Sequence, residues 1–351
     1  MSNSKSQLLS LQMIRGIAAI LVVLHHFTNL FRENFNINFS YGLFSPGYMG
    51  VDIFFILSGF LMYYIHHKDL GHRKKLTSFI RKRFIRIYPV YWVVAGLLSI
   101  IYFVAPNLGN SYYRNPSFII KSLLLVPQTH QPILGVAWSL THEVFFYIMF
   151  AIFISLNKKY SIYIFIFWVS LTVVNLFVSF NNYLVEFIFS SYNFEFLLGS
   201  LIAYLIINKR LTSAKVTIIV SILLLTVSWI TAFNYNIGPY RLLFWGIPSA
   251  LLLYGLVIRD ITLNKKTPKF LVFIGDASYS IYLTHIVGLL FLIKLLDSIN
   301  VSTSTIYYIL PVCVVIIVTA GCFFHILIEK PILRAFRKKL NLVNHFKSKA
   351  S

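Results

Sequence analysis

Apolar residues in this chain come in blocks of about twenty, and most of the residues between the blocks are polar or cationic. A helix needs roughly 20 apolar residues to cross the hydrocarbon of a bilayer. Ten such spans can be drawn, at 9–31, 48–67, 86–105, 136–156, 161–180, 184–207, 214–233, 240–258, 270–295 and 304–328. The pattern predicts an all-α, polytopic integral membrane protein with ten transmembrane helices. The stretch FIIKSLLLV, Phe118 to Val126, is too short to span and lies between Pro106 and Pro132. A re-entrant or interfacial piece fits it best. No fixed-period repeat and no Gly/Ser- or Pro-rich linker divides the chain. Residues 1–340 therefore read as one integral-membrane domain and 341–351 as a basic cytoplasmic tail.

Charge gives the pattern a direction. Connections after even-numbered spans are basic: Lys68, Arg73, Lys74, Lys75, Arg81, Lys82, Arg83 and Arg86; then Lys158 and Lys159; then Lys209, Arg210 and Lys215; then Arg259, Lys265, Lys266 and Lys269. The end of the chain adds Lys330, Arg334, Arg337, Lys338, Lys339, Lys347 and Lys349, whereas the other side holds only Arg32, Arg114, Lys121, Arg241 and Lys294. Short connections rich in Lys and Arg stay in the cytoplasm, so both termini are expected there. Hydrophobic residues make up 58% of the 351 positions, charged ones 12%, and mean hydropathy is +0.76. A soluble domain is nearer half apolar and a quarter charged. The net charge of +21 raises nucleic acid as a partner. Its dispersal over inter-span connections, with no folded basic module, excludes that class. The first span lacks the basic region and small-residue cleavage site of a signal peptide and is expected to be retained. Cys313 and Cys322 lie nine apart in one apolar block, cannot bridge on one helix, and read as packing.

Against this background the few buried ionisable residues stand out, because each costs several kcal/mol in lipid unless it faces protein or water. Arg15 and His25 share the first span, about 15 Å apart in depth at 1.5 Å per residue. Asp52, in GYMGVDIFFILSGF, and Glu143, in WSLTHEVFFY, enter spans two and four at a depth similar to His25. A carboxylate beside an imidazole fixes its tautomer, which a general base acting on a hydroxyl requires. The plainer alternative is that both acids cap or join helices. Gly47, Gly50 and Gly59 permit close helix approach in span two. Arg81, Arg83 and Arg86, in RKRFIRIYPVYW, suit bidentate phosphate binding, though anchoring to anionic lipid accounts for them equally. His285 sits among Ser278, Tyr279, Ser280, Tyr282 and Thr284 in span nine; a hydrogen-bonded core histidine is the simpler reading, as for His142 and His325. No His/Cys/Asp spacing suits a metal, and none is expected.

The segments LQMIRGIAAILVVLHH, GVDIFFILSGFLM, RKRFIRIYPVYW, WSLTHEVFFY, EFLLGS, GDASYSIYLTH and IEKP occur in this order from residue 11 to 331. The ordered set resembles the membrane acyltransferase-3 family, bacterial O-acyltransferases of surface glycans, and the opening LQMIRGIAA looks most like its exopolysaccharide-production branch. The resemblance implies a ten-helix protein of the bacterial inner membrane. It would move an acyl group, usually acetyl, from cytoplasmic coenzyme A to a sugar hydroxyl of an extracytoplasmic or lipid-linked polysaccharide such as exopolysaccharide or O-antigen. By position, Arg15 and His25 match the family's essential pair, and Arg83 and Arg86 its basic pair. Asp52, Trp138, Glu143 and His285 match further recurrent polar positions. Lys82 departs from the pattern where an Arg often stands. The esterase-like outer domain of many members is missing, which implies direct delivery or a separate extracytoplasmic partner.

On this reading His25 is base or acyl-carrying nucleophile, Asp52 or Glu143 orients it, Arg15 holds the donor or polarises its thioester, and Arg81, Arg83 and Arg86 hold coenzyme A phosphates. The rival class is a transporter or flippase of a glycan or lipid-linked precursor, which intramembrane charges suit equally; the lack of an internal repeat weighs against it.

Overall fold

The computed structural model describes residues 8–338, apart from 106, 108, 179, 264–266 and 300. The expected tail 341–351, Lys339 and the connection cations Lys265 and Lys266 therefore lie outside the described residues. The described chain is helical, without strands. Its α-helices are α1 (Leu9–Phe35), α2 (Met49–His66), α3 (Leu76–Val104), α4 (Pro116–Leu123), α5 (Trp138–Ser155), α6 (Lys158–Val174), α7 (Tyr183–Ile188), α8 (Asn193–Ile207), α9 (Ala214–Asn234), α10 (Ile247–Leu263), α11 (Lys269–Ser298) and α12 (Thr303–Phe324). Among the described residues, nine helical segments are long and apolar enough to cross a membrane. The fifth expected span, 161–180, is α6, which starts and ends earlier and has 17 residues, the short limit for a crossing.

Glycines set how closely the helices approach. A side chain at Gly275 of α11 would strike the Gln12 carbonyl of α1, and one at Gly16 would lie 3.0 Å from the Gly275 nitrogen. Gly59 of α2 and Gly199 of α8 face each other's backbones in the same way, at Phe196 O and Ile56 O, while Gly47 and Gly50 lie on α1 at Leu21 O and Ala18 O. Van der Waals packing of small residues is the main attraction between helices in lipid. The span-two glycines thus do the packing work, and α1 is clasped between α2 and α11.

The start of α1 lies beside the end of α10. The carboxylate of Asp260 accepts from Ser10 N (2.8 Å) and Ser10 Oγ (2.7 Å), an anion placed where a helix start leaves its N–H groups unpaired. Gln12 meets the start of α11, and Arg86, early in α3, meets Glu329 beyond α12. These contacts collect the starts of α1, α3 and α11 with the ends of α10 and α12 on one face, the basic face. Because α3 already begins at Leu76, Arg81, Arg83 and Arg86 stand on its first turns rather than in a loop.

Three departures from plain spanning helices have local causes. The short α4 re-enters the bundle: the carbonyls of Ser122, Leu123 and Leu124 at its end accept from Tyr91 Oη (2.7 Å), Trp92 Nε1 (2.8 Å) and Tyr88 Oη (3.0 Å) halfway along α3. The sixth expected span breaks between α7 and α8. Its freed carbonyls are taken by Trp168 Nε1 and Asn193 Nδ2 on Ile188 O and by Asn175 Nδ2 on Phe189 O, the condition for broken helix inside a membrane. Finally, π-helical turns occur at Leu242–Gly246 and His325–Glu329. Each is followed two residues later by a proline, Pro248 and Pro331. Proline cannot donate to the carbonyl four residues back and its ring crowds that carbonyl, and a wider turn relieves both.

Candidate active site

Two spaces open along α1. The first, a vestibule of about 480 Å³ at the basic face, is lined by Gln12, Arg15, Arg86, Asp276, His325, Glu329 and the cations Lys330, Arg334 and Arg337. The second, a cavity of about 100 Å³ deeper in the bundle, carries Arg15, Arg83 and Arg86 against Glu143, with Ser58, Ser139, Tyr147, Tyr279 and Tyr282 and an apolar wall that includes Phe54 and Met62. Arg15 and Arg86 line both, so they stand at the threshold between them.

The groups at this threshold are held unequally. Arg86 is tied to Glu329 at 3.4 Å, and Glu329 also accepts from Ser280 Oγ and His325 Nδ1, each at 2.7 Å. Arg83 donates to His66 Nε2 (3.1 Å), whose Nδ1 faces Asp69 (2.7 Å), so one edge of its guanidinium is committed. Among the described residues Arg15 makes only a long contact, 3.4 Å to Gln12 Oε1. A guanidinium offers five N–H donors, and those of Arg15 are left for an occupant. Glu143 accepts from Ser58 Oγ (3.0 Å) and from Tyr147 Oη. Tyr282 Oη donates to Val136 O (2.8 Å) and accepts from Ser139 Oγ (2.7 Å).

Beyond Phe54 and Tyr282, whose rings meet at 5.7 Å, a row of imidazoles continues away from the basic face. Tyr282 lies 5.8 Å from His285, His285 lies 5.3 Å from His26, and His26 lies 5.0 Å from His25, all between ring centroids. His285 is buried, with Nδ1 on Ile281 O and Nε2 unpartnered. His25 is partly exposed. Its Nδ1 lies 2.5 Å from the carbonyl of Ser45. A carbonyl only accepts, so Nδ1 carries the proton and Nε2 is left as the basic nitrogen. Asn29 Nδ2 approaches that nitrogen at 3.3 Å.

The structure therefore corrects one expectation. The orienting partner of His25 is the Ser45 backbone, set by the turn Ser45–Tyr48, and neither Asp52 nor Glu143. Asp52 is fully buried, and both its oxygens are held by Arg241, from Nε at 2.6 Å and Nη2 at 2.7 Å. Arg241 lies between the rings of Tyr48 and Tyr192, at 4.9 and 5.1 Å. Trp138 packs on the far side of Tyr192 at 5.2 Å. Of the expected residues, Arg15, Arg83, Arg86 and Glu143 share the central cavity. His25 and His285 stand beyond it. Asp52 and Trp138 belong to the Arg241 cluster. Arg81 lines neither space. Among the described residues no group of acids, histidines and cysteines could hold a metal ion.

Sequence reasoning missed Arg241, Ser58, Tyr147 and the pair His325–Glu329. A lone Arg at the head of one apolar segment opposite a lone Asp at the head of another was the available signal for Arg241. Glu329 directly precedes the basic run that starts at Lys330, yet it is 1% exposed.

Compared with known proteins, the chain matches the acyltransferase domain family over residues 8–325. It belongs to that family, acyltransferase-3. This membrane acyltransferase is similar to the exopolysaccharide production protein ExoZ of Rhizobium meliloti (strain 1021), with 25% identity over 84% of this chain and 92% of that protein. It is also similar to protein 2 in the picA locus of Rhizobium radiobacter, with 34% identity over 26% of this chain and 43% of that protein. No solved structure matches the acyltransferase.

Proposed function

We propose that this acyltransferase moves an acetyl group from acetyl-CoA, entering at a cytoplasmic basic face, to a hydroxyl of a polysaccharide or lipid-linked glycan on the other side of the bacterial inner membrane. Exopolysaccharide is the favoured acceptor, because the relative that aligns over most of its length is named for exopolysaccharide production. The single observation that carries the reading is the threshold: Arg15 and Arg86 belong at once to a cation-lined vestibule and to a deep cavity whose wall includes Tyr282, where the ring row His285, His26, His25 begins. A donor with an anionic head and a long thin thioester arm fits that plan. The central cavity, about 100 Å³, suits a short acyl group.

The reacting groups divide by depth. Ten residues of helix separate Arg15 from His25, about 15 Å, so the two do not share one reacting carbon. Arg15 and Arg86 grip the donor at the threshold, while Arg83 and Glu143 line the passage. The thioester passes Phe54 and Tyr282, which part to admit it. His25 Nε2 removes the proton of the acceptor hydroxyl as its oxygen attacks the thioester carbonyl. The C–O bond forms, the C–S bond breaks, and coenzyme A leaves as thiolate to be protonated from the imidazolium. Asp52 with Arg241 keeps Tyr48, and through it the His25 ring 5.5 Å away, in place.

The test is transfer of label from acetyl-CoA to isolated exopolysaccharide by the purified protein in lipid. Wild-type protein labels the glycan and His25→Ala does not. Glycan labelling that survives His25→Ala refutes the assignment, and transport of the glycan without any acyl donor refutes the enzyme.

A further inference from the structure

The vestibule contains more cations than its own acids can balance, and they come from the helix that follows α12. After the π-turn His325–Glu329 the helix continues to Lys338. Lys330, Arg334 and Arg337 follow one another at spacings of four and three, which puts them on one face, and all three line the vestibule. Like charges at these spacings repel. Among the described residues, neither Arg334 nor Arg337 makes an ion pair, and Lys330 lies over the Phe273 ring at 5.7 Å. The acids at hand are Asp276 and Glu329, and Glu329 is occupied by Arg86, Ser280 and His325.

At the floor of the same space His325 is 4% exposed, gives Nδ1 to Glu329, and leaves Nε2 buried without a partner among the described residues. A buried ring nitrogen without a partner costs free energy, and here it borders an open space lined by arginines. A phosphate supplies what is absent: negative charge for the two guanidiniums, whose forked donors match its oxygens, and an acceptor for the imidazole edge once Nε2 takes a proton from solvent and becomes a donor.

We propose that this vestibule seats the nucleotide end of the acyl donor, with Arg334 and Arg337 on its phosphomonoester and His325, protonated at Nε2 when the anion is bound, donating to a phosphate oxygen nearer the threshold. The assignment rests on the acyl-CoA reading above and moves phosphate recognition from the first turns of α3 to the segment after α12. Arg334 and Arg337 stand farthest along the helix from the threshold pair Arg15 and Arg86, as the nucleotide of coenzyme A stands farthest from its thioester.

Binding of coenzyme A and of dephospho-coenzyme A is measured by titration calorimetry on wild type, on Arg334→Gln/Arg337→Gln and on Arg81→Gln, in nanodiscs of zwitterionic lipid. Both vestibule arginines are exposed, and thermal melting checks that the variants fold. Wild type prefers coenzyme A over the dephospho form. The double variant loses that preference, with coenzyme A affinity down about tenfold or more, while Arg81→Gln binds as wild type does. In the transfer assay the double variant raises KM for acetyl-CoA at unchanged kcat. Equal affinity of wild type and double variant for coenzyme A overturns the proposal and leaves the acyl-CoA reading standing. So does a double variant whose only change is lost stabilisation by phosphatidylglycerol nanodiscs, which marks a lipid headgroup site. Wild type that binds no coenzyme A overturns both.

Discussion

Arg241 closes on both oxygens of Asp52, at 2.6 and 2.7 Å, across 189 positions of sequence. The pair ties the start of α2 to the turn that precedes α10. It is nearly dry, with the aspartate side chain at 0% and the arginine at 19% exposure. Removing one partner of a buried ion pair strands the other charge and costs about 3–5 kcal/mol. Asp52→Ala and Arg241→Ala are each expected to lower thermal stability by that order. The double variant is expected to lose much less than the sum, measured as melting in detergent. Full additivity would mean that the two side chains are not coupled.

His25 presents a different expectation. Its Nδ1 is satisfied by a backbone carbonyl that mutation of other side chains leaves in place. Loss of a general base lowers rate by about 10²–10⁴-fold. His25→Ala is expected to lose turnover by that order and to melt close to wild type. Glu143→Gln, which keeps the shape and retains an acceptor for Ser58 and Tyr147, is expected to lose far less. Steady-state kinetics beside a melting curve separates these outcomes. Collapse of the fold in His25→Ala would assign the histidine a structural role.

Acyl-chain length follows from the central cavity. At about 100 Å³, walled by Phe54, Leu57, Leu61 and Met62, it leaves little room beyond an acetyl group. Relative kcat/KM is expected to fall steadily from acetyl- to butyryl- to octanoyl-CoA. Met62→Ala is expected to raise the longer donors relative to acetyl. A flat profile in wild type would mean that this cavity does not screen the acyl group on its way to His25.

The helix crossings give a stability expectation independent of any chemistry. A methyl group at Gly275 or at Gly199 strikes a carbonyl of the neighbouring helix, and overpacking in a close-packed interior costs about 1–3 kcal/mol. Gly275→Ala is also expected to push α1 off α11 and displace Arg15. Lower melting temperature together with weaker coenzyme A binding is therefore the expected signature. Gly96→Ala is the control, since a side chain there meets nothing.

Much of this was legible in the chain because lipid is an unforgiving solvent. The apolar blocks had to be helices, and ionisable residues inside them had to face protein, so Arg15, His25, Asp52 and Glu143 could be singled out; that Glu143 joins Arg15, Arg83 and Arg86 in one cavity could not, since its place in the span set it at the depth of His25. FIIKSLLLV could be seen as too short to cross for the same reason. What could not be read was pairing over long sequence distances. Nothing around Asp52 announces Arg241, and the helix break before Asn193 is sustained by Trp168 and Asn175 on another helix. The partner of His25 was misjudged because a backbone carbonyl leaves no trace in composition, whereas a carboxylate does. The π-turns had a trace in Pro248 and Pro331, but hydrophobic periodicity does not register one extra residue in a single turn.

That extra residue also sets which way the rest of the helix faces. Each residue advances a helix by about 100°, so the insertion in His325–Glu329 sets the compass bearing of everything downstream. A deletion of one codon there would leave every cation in place in the gene yet swing Arg334 and Arg337 a quarter-turn and more around the axis, away from the doorway they now overlook. The number of residues between Phe324 and Arg334 thus sets the site as firmly as the identities of the cations do.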